Sequence, residues 1–370
     1  MQRRSFLKST AVLSALGASS ALRAAESRAG SAPVRSPWSN GTEWKSYEVA
    51  THIEIPKTNG PARAWVPLPL SLDTDYFRGL TNAWAGNASA MRVLHDPAQG
   101  TALFFAEWAQ PQESAHVEVT SRFLTRDRAV DVINPNKSFR VERIDPGRYI
   151  KATAMIPTDG IVRQTALDIT KGHKSDISKA RAIYEWIVEN TYRDPKTKGC
   201  GWGDIKAMLE SGNMGGKCGD LNAMFVGLAR AVGMPARDVY GLRVAPSQWG
   251  YRSMSAANNV SRAQHCRAEF YTLTHGWIPV DPADVRKVIL EEPPGALPLD
   301  HQRVKLAREK LFGAWEMNWL AYNYAHDVNL PNGKGAPIPY LMYPNAEVNG
   351  ERRDSLDPDS FKYTITSKAA

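Results

Sequence analysis

The sequence has little cysteine and no long apolar run, and both absences narrow the possible classes of protein. Three cysteines among 370 residues are too few for a disulfide scaffold or for a structural zinc site built from cysteines alone. No apolar run reaches the ~20 residues that a membrane-spanning helix needs. The chain still has 11 tryptophans, 13 tyrosines and 10 phenylalanines, so it can bury a large core, and disorder is excluded as its main state.

Patterns for nucleic-acid, metal or cofactor binding are also scarce. The net charge is +8, but four basic residues and no acid lie in the first 24 residues, which leaves +4 for the rest. No basic stripe with interleaved aromatic residues follows. The eight histidines are scattered, and no zinc, calcium or phosphate-loop motif occurs. We therefore predict no nucleic-acid partner, no metal site and no cofactor.

The N-terminus has the three-part plan of a secretory signal peptide. Arg3 and Arg4 precede Ser-Phe-Leu-Lys, a weakly apolar stretch covers residues 11–22, and small residues follow Arg23. The paired arginines resemble a bacterial twin-arginine signal, so we predict a signal peptide over 1–24 and a periplasmic mature chain without a transmembrane helix. A leucine or an arginine would lie three residues before the cut, where a small residue is preferred. An uncleaved anchor and a short amphipathic helix on a cytosolic protein therefore stay open.

Composition and spacing divide the rest of the chain. Residues 25–44 are rich in Ser, Gly, Pro and Arg and predict a linker. From Lys45 onward, several short runs alternate apolar and polar residues, which predicts an antiparallel β-sandwich over 45–130. Residues 131–295 mix helical and strand-like segments and predict an α+β core. Residues 296–370 predict a C-terminal helix and strand extension that packs on this core.

Apolar spacing also places individual elements. A helix is predicted from about Asp176, after Ser175 as its cap, and another from Cys218 to the Gly-Met-Pro stop at 233–235. A further helix is predicted over about 300–322. The predicted strands after the sandwich are 237–244, 263–273, 277–280 and a last one near 361–365.

The segment Gly-Gly-Lys-Cys-Gly-Asp at 215–220 opens a helix with a thiol. At a helix N-terminus, the macrodipole and the unpaired backbone N–H groups both favour a thiolate. Cys218 is therefore a candidate nucleophile, although a lone cysteine in a first turn is commonly only buried.

Two strand-like segments supply candidate partners for this thiol. His265 lies in the first, and Asp281 ends the second, 16 residues later. Antiparallel pairing of the two segments would let the carboxylate fix one imidazole nitrogen, so that the other could take a proton from a thiol. Taken singly, a structural histidine and a turn aspartate before proline are the simpler interpretations.

In this order the segments closely resemble the transglutaminase-like superfamily, a branch of the papain-like cysteine enzymes. The resemblance spans about 175–290 and rests on four short sequences. They are Gly-Lys-Cys-Gly-Asp at 216–220, Gly-Met-Pro-Ala-Arg at 233–237, the histidine strand ending in Glu-Phe-Tyr at 269–271, and Gly-Trp-Ile-Pro-Val-Asp-Pro at 276–282. It implies a papain-like α+β core with a Cys218–His265–Asp281 triad and no cofactor. The N-terminal β region and the C-terminal extension resemble those of bacterial exported members.

Three further residues are candidates around this triad. Arg267 stands where the family usually has an aromatic residue, and strand alternation would place Arg267 and Glu269 on the substrate side with His265. There Arg267 would favour a carboxylate, unless it only pairs with Glu269. Trp202 lies in a glycine-rich loop and could add an indole N–H to the backbone N–H of Cys218 as an oxyanion donor. A tryptophan in such a loop can also simply pack.

The resemblance implies an enzyme that attacks amide or peptide carbonyls of a protein or peptide substrate in the cell envelope and forms a thioester. We expect the acyl group to pass to water, as in a hydrolase or peptidase, more than to an amine, as in a transamidase. The alternative is a non-catalytic envelope protein that uses the fold for peptide binding or assembly.

The other two cysteines are predicted to stay unpaired. A twin-arginine substrate folds before it meets an oxidant, so its fold cannot depend on a disulfide between Cys200 and Cys266. Strand alternation also predicts that Cys266 faces away from the catalytic side.

Overall fold

A computed structural model describes residues 43–96, 99–134 and 147–370. Within them the protein has the predicted α+β class, because a strand-rich part precedes helices packed on a second antiparallel sheet. The predicted signal over 1–24 and nearly all of the linker over 25–44 lie outside the described residues. Among the helices within these ranges, none is long and apolar enough to cross a membrane.

Strands come first along the chain, and their side chains alternate between core and surface as in a half-buried sheet. In the strand over 114–125, for example, the buried Val117 and Val119 alternate with the exposed His116 and Glu118. The predicted strand-rich segment before the core is therefore confirmed. Its strands are β1 (Lys45–Pro56), β2 (Ala62–Pro67), β3 (Phe77–Gly86), β4 (Ala90–Asp96), β5 (Thr101–Trp108), β6 (Ser114–Thr125) and β7 (Arg128–Ala129).

The next part of the chain forms the core. Its elements are α1 (Gly160–Thr170), α2 (Asp176–Asn190), β8 (Tyr192–Arg193), α3 (Ile205–Ser211), β9 (Gly215–Gly216), α4 (Cys218–Ala231), β10 (Ala236–Arg243), β11 (Arg267–Thr272), β12 (Gly276–Val280) and α5 (Pro282–Glu291). As predicted, Ser175 caps α2 by accepting a hydrogen bond from the backbone N–H of Ser178. Every residue of α4 is buried, because α4 lies between α1 and α2 and the strands β10 and β11.

The C-terminal part departs from the prediction of one long helix over 300–322. The helix ends at Lys310, and Gly313 then adopts a φ of 115°, which turns the chain out of helical geometry. Trp315 and Trp319 are fully buried, but in short strands rather than on one helix face. The elements are α6 (Gln302–Lys310), β13 (Ala314–Trp315), β14 (Trp319–Asn323), β15 (His326–Val328), β16 (Ile338–Tyr340), β17 (Asn345–Val348), β18 (Glu351–Arg352) and β19 (Lys362–Ala369).

The larger sheets bring the first and the last described strands together. The core sheet has the order β12-β11-β10-β14, and the two sandwich sheets have the orders β19-β1-β6-β3 and β18-β17-β2-β5-β4. β19 pairs with β1 without a break, from Tyr47 opposite Ala369 to Glu54 opposite Lys362. The segment 296–370, predicted as an extension on the core, thus also reaches the sandwich, since β14 joins the core sheet and β17 to β19 join the sandwich sheets. Backbone pairing of this kind joins segments far apart in sequence, and no local pattern records it.

Candidate active site

Cys218 is the first residue of α4, and one carboxylate shapes the turn around it. Asp220, in the first turn of the helix, accepts a hydrogen bond from the backbone N–H of Lys217 at 3.0 Å. A Cβ on Gly201 or Gly216 would approach Asp220 atoms to 1.8 Å or 2.6 Å, so these glycines make room for the cap. The thiol is therefore held at the positive end of the helix macrodipole.

The sulfur of Cys218 lies against two further thiols. Hydrogen bonds from Cys200, then from Cys266 and from His265, lower the pKa of Cys218 well below its usual value and outweigh the effect of burial. The contact with Cys218 raises the pKa of Cys200, and burial raises the pKa of Cys266. Of the three thiols, Cys218 is the one stabilised as a thiolate, which is the nucleophilic form.

Cys266 lies on the core side of its segment. It is fully buried in the core and does not line the cavity that His265 lines. Its backbone carbonyl accepts a hydrogen bond from Asn222 of α4 at 2.8 Å, and the nearby Cys218 adds to the burial that raises the pKa of its thiol. All three cysteines are buried free thiols.

His265 and Asp281 are in direct contact, as the antiparallel pairing of their segments predicts. His265 Nε2 lies 2.8 Å from Asp281 Oδ2, which leaves Nδ1 as the ring nitrogen for the thiol. The indole N–H of Trp319 donates to the carbonyl of His265 at 2.9 Å and helps to fix this residue. Burial disfavours the imidazolium, but the carboxylates of Asp284 and Asp281 outweigh it and raise the pKa of His265.

Asp284 is a functional candidate that the sequence analysis missed. It lies one helical turn after Asp281, its backbone N–H donates to Asp281 Oδ1 at 3.0 Å, and its Oδ2 is 3.4 Å from His265 Nε2. Arg243 donates from Nη2 to both oxygens of Asp284, at 3.0 and 2.8 Å. The Asp-Pro-Ala-Asp sequence was the available signal, since an acid three residues after a cap points back toward it.

His265, Asp281 and Asp284 could also present ligand atoms to a metal ion, since these atoms lie within 4.8 Å of one another. The guanidinium groups of Arg243 and Arg267 already balance the two carboxylates. The charges of the two arginines and the two carboxylates therefore balance, and the carboxylates stabilise the positive charge of a protonated His265.

Arg267 does not lie on the substrate side, contrary to the expectation from strand alternation. Its side chain is 1% exposed, and its Nε is 3.6 Å from Asp281 Oδ2. Its Nη1 donates to the carbonyl of Glu316 at 2.9 Å, and its guanidinium lies over the ring of Trp319. Burial lowers the pKa of Arg267 to about 10. Arg267 therefore acts on the site only through Asp281.

Glu269 is likewise removed from the substrate side. It is fully buried, with Oε2 2.5 Å from Arg128 Nη1 and Oε1 2.6 Å from Arg237 Nε. These partners also exclude the alternative in which Arg267 pairs with Glu269. β7 and β10 bring the two arginines together, so the pairing depends on tertiary structure and not on the spacing along β11.

The side chain of Trp202 does not lie at the cavity, whereas Gln264, for which the sequence suggested no role, does. The side chain of Trp202 is 65% exposed and does not line the cavity at Cys218, while its backbone N–H donates to Asp220. Gln264 lines that cavity next to His265, and its buried Nε2 has no hydrogen-bond partner within the described part of the chain. A buried donor without a partner is rare, so Gln264 is a better candidate than Trp202 to meet a substrate oxygen.

The three predicted triad residues meet at one cavity of about 890 Å³. Cys218 and His265 line it, and Asp281 lies behind His265. The lining also includes Phe361 and residues 362–364 of β19, so the sandwich helps to enclose the cavity. This volume lies in the range of small-molecule and peptide-side-chain clefts.

Comparison with known proteins concerns the family and the fold of the chain. The model of the transglutaminase-like superfamily matches residues 163–282, which contain Cys218, His265 and Asp281. An uncharacterized protein of Haemophilus influenzae is 37% identical over 333 residues, which is 85% of this chain and 89% of that one.

A solved structure with a similar fold is that of a candidate cysteine protease from Cytophaga hutchinsonii. Its TM-score is 0.50 at 14% sequence identity, over 88% of this chain and 99% of that one, so the likeness concerns the fold alone. The family match across the core, the extensive identity to the Haemophilus protein and the α+β fold lead to one conclusion. The chain belongs to the transglutaminase-like superfamily.

Proposed function

We propose that this protein is a cysteine-dependent enzyme that cleaves amide bonds of peptides or proteins through a Cys218–His265–Asp281 triad. The observation that carries the proposal is the joint geometry. A helix-start cysteine with a lowered pKa lines the same cavity as a histidine whose Nε2 is 2.8 Å from a fully buried aspartate. A thiolate beside an imidazolium is the reactive form of a cysteine nucleophile.

In the first step, the Cys218 thiolate attacks the amide carbonyl carbon, and the carbonyl electrons move to oxygen. The backbone N–H of Cys218 and the side-chain amide of Gln264 supply hydrogen bonds to this oxyanion. The His265 imidazolium then gives its proton to the departing amine, so the C–N bond breaks and a thioester remains. Asp281 orients the ring throughout.

In the second step, neutral His265 takes a proton from water, and the resulting hydroxide attacks the thioester. The carbon–sulfur bond breaks, the acid is released and the thiolate is restored. A lysine amine could replace water, which would make the enzyme a transamidase. We favour water because several cations line the cavity and disfavour an incoming ammonium group.

The experiment compares hydrolysis of a peptide library with incorporation of a labelled primary amine into a glutamine-bearing protein. Cys218→Ala is the matched inactive variant. We expect peptide cleavage that depends on Cys218 and exceeds amine incorporation. Efficient amine incorporation with little hydrolysis would make the enzyme a transamidase. Neither activity, together with an unreactive Cys218, would favour a non-catalytic peptide-binding protein.

We also propose that the protein is exported to the periplasm by the twin-arginine route. Arg3-Arg4 before Ser-Phe-Leu-Lys supports this. A variant with both arginines changed to lysine should stay in the cytoplasm, whereas an unchanged distribution would contradict the route.

A further inference from the structure

Within the described residues, the cavity at Cys218 is lined by basic side chains and by no aspartate or glutamate. Four of these cations already have a carboxylate behind them. Arg193 and Lys287 pair with Glu291, Lys198 pairs with Asp354, and Arg243 pairs with Asp284. The four cations share three carboxylates, so together they contribute one net positive charge to the cavity.

Lys217, Arg262 and Lys362 are different. Lys217, the residue before the nucleophile, donates from Nζ to the carbonyl of Thr197 at 2.7 Å, and a carbonyl carries no net charge. For Arg262 and Lys362, no carboxylate in the described part of the chain lies within ion-pair distance. Both are exposed at the cavity, so Lys217, Arg262 and Lys362 add three positive charges to that one.

Backbone pairing holds Arg262 and Lys362 on the same wall. The backbone N–H of Val260 donates to the carbonyl of Ile365 at 2.8 Å, and the N–H of Ile365 donates to the hydroxyl of Ser261 at 2.8 Å. The segment that carries Arg262 therefore runs beside β19, which carries Lys362. These hydrogen bonds fix the backbone of this wall. The fold therefore holds Arg262 and Lys362 at the cavity.

We propose that the cleft selects peptide substrates that carry a carboxylate near the bond to be cleaved, and that Arg262, Lys362 and Lys217 bind this carboxylate. The inference rests on the proposed amide hydrolase and adds its substrate class. Guanidinium and ammonium groups form charge-assisted hydrogen bonds with carboxylates, and a cleft lined by one sign of charge concentrates ligands of the other. These three residues take the carboxylate-binding role that the sequence analysis gave to Arg267, which is buried.

The test uses small alkylating agents, so it needs no known substrate. Iodoacetate carries a carboxylate and iodoacetamide does not, and both alkylate a cysteine thiolate. The measured quantity is the ratio of their rates at Cys218 in the purified protein, followed by peptide mass mapping. In Arg262→Gln/Lys362→Gln, we expect the iodoacetate-to-iodoacetamide ratio to fall about 3- to 10-fold at low salt. The wild-type ratio should also fall in concentrated salt, because ions screen exposed charges.

Lys171→Gln/Lys305→Gln is the matched control, since it removes the same net charge from exposed positions that do not line the cavity. Its ratio should equal that of the wild type. An unchanged ratio in the cleft variant, or an equal fall in the control, would overturn the carboxylate site. The ratio can be measured at any absolute rate. Slow alkylation of Cys218 by both reagents would therefore count against the proposed hydrolase. The ratio of the two rates would still decide whether the cleft prefers a carboxylate.

Discussion

Replacing Glu269 by glutamine should destabilise the fold without acting at the reacting atoms. Glu269 is fully buried between Arg128 and Arg237, at 2.5 and 2.6 Å. Glutamine keeps the shape but removes the charge, so both guanidinium groups stay buried without compensation. Breaking a buried ion pair from one side costs about 3–5 kcal/mol.

The aromatic surroundings reduce this loss. The Arg237 guanidinium lies 3.8 Å from the ring centre of Trp277 and 3.7 Å from that of Tyr324. Such contacts contribute about 0.5–2 kcal/mol each and survive the substitution. We therefore expect a loss near the lower end, about 3 kcal/mol, in the free energy of unfolding from urea titration at pH 7. Glu118→Gln is the control, because Glu118 is exposed and its change should cost less than about 0.5 kcal/mol.

The pH dependence gives a second check. The two arginines lower the pKa of Glu269 from its ordinary 4.5, although burial opposes them. A lowered folded pKa means that the stabilisation is fully present above about pH 4.5 and is lost as pH falls through the folded pKa. The difference between wild type and Glu269→Gln should therefore shrink in acid. If the variant kept its stability but lost activity at pH 7, Glu269 would act at the site and the reasoning would be refuted.

Three further predictions test the site. Cys218→Ala should abolish amide cleavage and change the free energy of unfolding by no more than about 1 kcal/mol, since the helix keeps its Asp220 cap; a global loss of structure in circular dichroism would contradict this. Asp281→Asn keeps an oxygen for the α5 cap but loses the charge beside His265 and Arg267, so kcat should fall about 10- to 100-fold, and the free energy of unfolding should also fall because Arg267 stays buried without its carboxylate. Gln264→Leu should lower kcat about 10- to 100-fold, whereas Trp202→Phe should change it less than about 2-fold; the opposite ranking would return the oxyanion role to Trp202.

Local patterns predicted the parts of the molecule that depend on local chemistry. The capped helix at Asp176 and the helix at Cys218 follow from caps and apolar spacing. The contact between His265 and Asp281 follows because two neighbouring antiparallel segments must bring their ends together. These elements need no information from distant parts of the chain.

The errors all lie where distant segments meet. Strand alternation assigned Arg267 and Glu269 to the cleft, but their true partners come from other strands, from the end of β12 and from the segment around Glu316. β19 pairs with β1, which lies about 300 residues earlier in the chain. The cavity wall at Lys362 depends on that pairing.

The most direct test of the account is competitive alkylation of the three cysteines. Cys200 is the internal control, because it lines the same cavity and is 6% exposed, against 3% for Cys218. With limiting iodoacetamide at pH 6, mass mapping should show Cys218 modified ahead of Cys200 and Cys266, since only its pKa is lowered. In His265→Gln, the rate at Cys218 should fall at least about 10-fold. Equal labelling of the three thiols, or a rate that does not depend on His265, would contradict the proposal that Cys218 is the activated nucleophile.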